Sequence, residues 1–109
     1  MERRQFLPAI CFVTVNAMKA LAEIQVIPIG AGVSVRREVT RAHELLVTSG
    51  LGVELHAYGT NVEGELDAIL AAIKTVHETL HAEGTTRLAT TVKIGTRIDK
   101  DPSLAGKRL

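Results

Sequence analysis

Two kinds of repeat alternate along this chain, one of period two and one of period about 3.6, and their order predicts its elements. From Leu21 to Ile29, Ala22, Ile24 and Val26 fall on one side and Glu23, Gln25 and Ile27 on the other, as in a half-buried strand. Pro28 and Gly30-Ala31-Gly32 end it, and Ser34 is placed to cap a helix. Val35, Val39, Ala42 and Leu46 then recur at helical spacing, with Arg36, Arg37, Glu38, Arg41 and Glu44 forming a solvated face and His43 at the surface, until Ser49-Gly50 stops the helix.

A second alternating strand sends Val53, Leu55 and Ala57 to the core and Glu54, His56 and Tyr58 the other way. The chain reverses at Gly59 or just after it. A short third strand places Val62 inside and Asn61 and Glu63 outside, and Gly64 admits a second helix. Leu66, Ile69, Leu70, Ile73, Val76 and Leu80 form the cleanest helical stripe in the chain, which runs until Gly84. A fourth strand, about Arg87 to Ile94, buries Leu88, Thr90, Val92 and Ile94 and turns Arg87, Ala89, Thr91 and Lys93 outward.

The order strand, helix, strand, strand, helix, strand predicts an α+β, ferredoxin-like βαββαβ sandwich over residues 18–109: a four-stranded antiparallel sheet with both helices on one face. Strands one and three are central in that arrangement, so Gln25 and Glu63 are expected near the middle of an uncovered face. Residues 1–17 stand apart as an N-terminal extension, in which Glu2 and the basic Arg3-Arg4 precede the apolar run Phe6 to Val15. They read as an early start ahead of Met18, a weak signal-like segment or an extra strand. The tail from Arg97 is charged, and Pro102-Ser103 is placed to begin a short helix.

Composition narrows the function. The chain has 109 residues, enough for one modest core, and its charge of +1 supplies no electrostatic reason to expect nucleic acid or an anionic membrane. With no Trp, one Tyr and two Phe, it has almost nothing on which to stack bases. The one cysteine, Cys11, excludes an internal disulfide and a cysteine-based zinc site, and nothing in the chain requires an oxidising compartment, so a cytoplasmic location is expected. His77 and His81 lie four residues apart on one helix side but lack a third ligand, so they read as polar residues at a helix end rather than a metal site. Gly30-Ala31-Gly32 has neither GxGxxG spacing nor a Walker Lys-Ser/Thr pair, nor the arginine of an acylphosphatase loop. No nucleophile, base and orienting group can be assembled by spacing, and the chain is read as a non-enzyme without a cofactor.

Several segments carry a resemblance: Val26-Ile27-Pro28-Ile29-Gly30, Ser49-Gly50-Leu51, Gly59-Thr60-Asn61-Val62-Glu63-Gly64-Glu65-Leu66, Ala72-Ile73-Lys74-Thr75-Val76-His77-Glu78 and Lys93-Ile94-Gly95-Thr96-Arg97-Ile98-Asp99-Lys100. Together they resemble the thiamine-binding, YkoF-like family of small ferredoxin-like proteins. The resemblance implies a homodimer or homotetramer built through the sheets, no catalysis, and thiamine or its hydroxymethylpyrimidine part as the ligand. The chain departs from the family's usual pattern at Tyr58, where methionine is common, and at Ala57, where proline is. The ligand residues expected under it are Tyr58, Thr60, Glu63 and Gln25. Glu63 and Thr60 would satisfy the donors and acceptors of an aminopyrimidine, and Tyr58 would stack on its ring or face the thiazolium cation. Two alternatives remain open: Glu63 pairs with Lys93 or Arg87 across the sheet, and the protein is a structural or regulatory homo-oligomer without a metabolite.

Overall fold

Strand β1 (Lys19–Pro28) runs through the middle of the molecule because it is the chain's longest alternating stretch and one of its faces is wholly apolar. A computed structural model describes residues 18–30, 32, 35–100 and 102–105. After β1 come α1 (Arg36–Thr48), β2 (Gly52–His56), β3 (Gly59–Glu65), α2 (Leu66–Ala82) and β4 (Leu88–Thr96). The strands form one antiparallel sheet in the order β2-β3-β1-β4, the predicted ferredoxin-like arrangement. The N-terminal extension lies outside the described residues.

One side of β1 (Ala20, Ala22, Ile24, Val26) packs with Val62, with Ala42 and Leu46 of α1, and with Ile69, Ala72, Val76 and Leu80 of α2. Leu46, Ile69, Leu80, Val62 and Val76 are its largest fully buried side chains, and burying each stabilises the fold by about 1.5–3 kcal/mol. Gly84, at φ 108°, ends α2 in the left-handed conformation: its N–H donates to the His81 carbonyl and the Thr85 N–H to that of Leu80, closing the last turn. Arg41 ties the helices together through its Nε–H, 3.0 and 3.2 Å from the two carboxylate oxygens of Glu83, which holds the guanidinium pKa above its ordinary value.

Several sequence expectations change. Ser34 lies outside the described residues; Val35 occupies the cap position of α1 and makes no side-chain capping bond. Glu38, placed on the solvated face, is buried beside Arg37, whereas Val39 and Leu70, placed in the core, are 37% and 49% exposed. The reason for Leu70 is angular: it sits one residue around the helix from Ile69, at the rim of the stripe, and Ala72 takes the buried position. Leu55 is 55% exposed because β2 is an edge strand, and Ala57 and Tyr58 form the turn after it rather than its end. Pro102 and Ser103 are irregular and precede a bend at Leu104 and 3₁₀ backbone at Ala105.

Candidate functional site

β1 is longer than its partner. Its pairing with β3 stops at Ile24↔Thr60, while its pairing with β4 continues to Pro28↔Leu88. Gln25, Val26 and Ile27 therefore have a strand on one side only, and a cavity of about 230 Å³ opens where the second strand would be. Val39, Ala42 and Leu46 of α1 wall it together with the cap residue Val35, so the apolar stripe read from the sequence of that helix faces both core and cavity. Leu55, His56, Ala57, Tyr58, Gly59 and Thr60 close the third side, from the β2–β3 hairpin. Polar residues are few in this largely aliphatic lining: Gln25, Thr60, His56 and Tyr58. An apolar cleft with a few converging polar groups is the usual form of a small-molecule site.

The hairpin owes its tightness to Gly59. A Cβ there would come 2.8 Å from the backbone oxygen of Ile24, so only glycine lets β3 start this close to β1. Gly59 also leaves a notch on the open face, across which His56 Nε2 approaches Glu23 Oε2 at 3.2 Å. On the other side of the ring, the Tyr58 N–H donates to His56 Nδ1 at 3.3 Å. A neutral imidazole that accepts at Nδ1 carries its proton on Nε2, and that buried nitrogen, although 3.2 Å from Glu23 Oε2, makes no hydrogen bond. Tyr58 itself is 79% exposed at the cavity rim.

The four expected ligand residues are not brought to one place. Gln25, Tyr58 and Thr60 line the cavity together. Thr60 is 6% exposed and shares the helix-facing side with Ile24, its register partner. Glu63 pairs with Leu21, four residues from Gln25, which puts it about 13 Å along the sheet at about 3.3 Å per residue. There it lines a separate groove of about 340 Å³ with Lys19, Gly52, Gly64 and Pro102, and its Oε1 accepts the Leu104 N–H at 2.6 Å. The face expected to be uncovered thus carries the tail at this end. Lys93 is set beside Glu23 by the register rather than beside Glu63. Just upstream, the Arg97 guanidinium grips both Asp99 oxygens and holds that carboxyl below its usual range.

Sequence reasoning missed His56 and Glu23 as a pair. The available signal was the two-residue spacing between His56 and Gly59, which makes a hairpin with His56 at its first corner. Two of the other three histidines are engaged elsewhere. His77 Nε2 lies 2.6 Å from Thr90 Oγ1, His81 Nδ1 donates to the Thr85 carbonyl at 2.8 Å, and half-buried His43 has an Nδ1 without a hydrogen-bond partner. Among the described residues, no three His, Cys, Asp or Glu side chains gather as metal ligands, and no helix is long and apolar enough to cross a membrane.

Comparison with known proteins agrees with the fold. The UPF0045 protein sll0230 of Synechocystis is 40% identical over 93 residues, covering 85% of this chain and 77% of that one. The UPF0045 protein MJ1052 of Methanocaldococcus jannaschii is 39% identical over 89 residues, covering 82% and 88%. Its crystal structure superimposes with a TM-score of 0.77 over 83% of this chain and 92% of that chain. A candidate thiamine biosynthesis/salvage protein of Thermotoga maritima, 22% identical, shares the fold at a TM-score of 0.72 over 82% and 94%. The profile described as "Thiamine-binding protein" matches residues 22–108, nearly the whole folded part, and on that match this chain belongs to the thiamine-binding protein family.

Proposed function

We propose that this protein is a non-catalytic small-molecule binder that takes thiamine or its hydroxymethylpyrimidine moiety into the cavity beside β1, and that it works as a homodimer or homotetramer joined through the open sheet face. The observation that carries the reading is the cavity itself, lined by Gln25 and Thr60 among aliphatic residues, with Tyr58 at the rim. At about 230 Å³ it is slightly smaller than the about 300–1,000 Å³ usual for ligand pockets, a scale that suits one substituted ring. The pyrimidine fits that chemistry: its amino group donates to the Gln25 or Thr60 oxygen, and its ring nitrogens accept from the Gln25 amide or Thr60 hydroxyl. The cationic thiazolium then projects past Tyr58, toward the side of the hairpin where Glu23 stands. Glu63, at the far groove, serves the tail rather than this ligand. Exposed Ile27 on the open face supports burial against a second copy.

Calorimetric titration with thiamine and with hydroxymethylpyrimidine tests the reading. Saturable heat with at least one is expected, weakened by Gln25→Ala and Tyr58→Ala and unchanged by Glu63→Ala. Silence with both ligands at high micromolar concentration, with the wild-type protein folded, would refute it.

A further inference from the structure

The turn that forms the cavity rim is unusual for its length. Two residues, Ala57 and Tyr58, connect the paired residues His56 and Gly59, and hairpins this short favour turns with positive φ at one or both central positions. No non-glycine residue here has positive φ, so this hairpin uses a turn that matches the strand twist poorly. Such turns gain support when the side chain at the first corner accepts a hydrogen bond from the N–H two residues on, which is why Asp, Asn and Ser favour that corner. His56 occupies it, and its Nδ1 accepts the Tyr58 N–H at 3.3 Å.

We propose that His56 is a titratable clip on the cavity rim: neutral, it holds the Tyr58 turn closed through Nδ1; protonated, it releases it. Protonation places a hydrogen on Nδ1, which then faces the Tyr58 N–H donor to donor, so the bond cannot form. On the opposite side of the ring Nε2 carries its proton in both states, and protonation turns its 3.2 Å approach to Glu23 Oε2 into an ion pair. Protonation therefore breaks the turn contact while drawing the ring toward Glu23. The charged groups around the ring are Glu23 from β1, Lys93 from β4 in register with Glu23, and Glu54 two residues back on the same face of β2. β3 presents only Gly59 in the facing position, and the α1 residues on the cavity are all apolar. His56 is thus a positioning residue for Tyr58, and the link to ligand capture rests on the cavity reading above.

The chain supplies its own probe, because Tyr58 is its one tyrosine and it has no tryptophan. Tyrosine emission and anisotropy of the full chain, followed from pH 8 down to pH 5, are expected to show a single transition. His56→Asn restores an acceptor at nearly the same place but cannot titrate, so it should remove the transition and keep the high-pH signal. His56→Ala should give the low-pH signal throughout, and circular dichroism checks that both variants fold. A flat wild-type profile, or a transition that survives in His56→Asn and so belongs to another histidine, overturns the proposal. Thiamine titrations at pH 5 and 8 separate the two readings. If the fluorescence transition depends on His56 but thiamine binds at neither pH, the clip stands and the binding function falls. If thiamine binds equally at both pH values while the transition is absent, the clip falls alone.

Discussion

The two ends of β3 have opposite surroundings, although the sequence between them is only seven residues long. At the Gly59 end the sheet runs out of strand, and the gap between β1, α1 and the hairpin stays open as an aliphatic cavity. At the Glu63 end the sheet is complete across Gly52, Glu63, Leu21 and Gly95, and the tail lies on it through Leu104. A glycine serves each end differently. Gly59 permits a close backbone approach, whereas a Cβ at Gly64 would meet the Leu51 side chain at 2.6 Å. One polar, glycine-marked stretch thus contributes to two unrelated sites. Residue proximity in sequence is a poor guide to shared chemistry when a strand carries it, because each step along a strand changes face and moves about 3.3 Å.

The largest expected effect breaks the cavity end from beneath. Leu46→Ala removes a fully buried side chain that both fills the core and walls the cavity, and should cost about 2–5 kcal/mol in urea unfolding while enlarging the site. A loss below about 0.5 kcal/mol would mean that the wall is not packed as described. Gly59→Ala comes next: backbone lies on the Cβ side and cannot swing away, so a loss of about 1–3 kcal/mol is expected. Gly64→Ala should be milder, since a leucine side chain can move, and comparing the two denaturation midpoints tests the asymmetry directly.

The opposite end is probed through the tail. Leu104→Pro removes the N–H that Glu63 accepts, and Glu63→Ala removes the acceptor; a hydrogen bond to a charged group is worth about 1.5–3 kcal/mol. Both should raise proteolytic cleavage of the tail by a similar factor and leave ligand titrations unchanged. A ligand defect in Glu63→Ala alone would join the two ends after all. The smallest effect is that of Asp99. Its folded pKa lies below its unfolded value, so the stabilisation it adds is present above the unfolded pKa, near about 3.9 for aspartate, and is lost as pH falls through the lower folded value. The pair is exposed, and Asp99→Asn should remove a small acid-dependent part of tail protection without moving the global midpoint.

The architecture was legible because its signals are local and redundant. Alternation in β1, the stripe of α2 and the glycines after both helices each fix an element from a few neighbouring residues. The candidate site was half legible. Gln25, Tyr58 and Thr60 meet at one cavity, but Thr60 reaches it from the helix side of the sheet, and Glu63, expected beside them, stands at the other end. Strand lengths caused the difference: periodicity shows that a strand exists and which way its side chains point, but not where its pairing with a neighbour stops.

By itself, then, the sequence determined the order of elements, the faces of the strands and the aliphatic character of the core, since these follow from residue spacing and composition. Only the tertiary structure decided that β1 outruns β3, that α1 lends its apolar stripe to a cavity, that His56 lies between Glu23 and the Tyr58 amide, and that the tail returns to Glu63. Those facts depend on register and on contacts between residues far apart in the chain, 41 positions for Glu63 and Leu104, which no local pattern encodes.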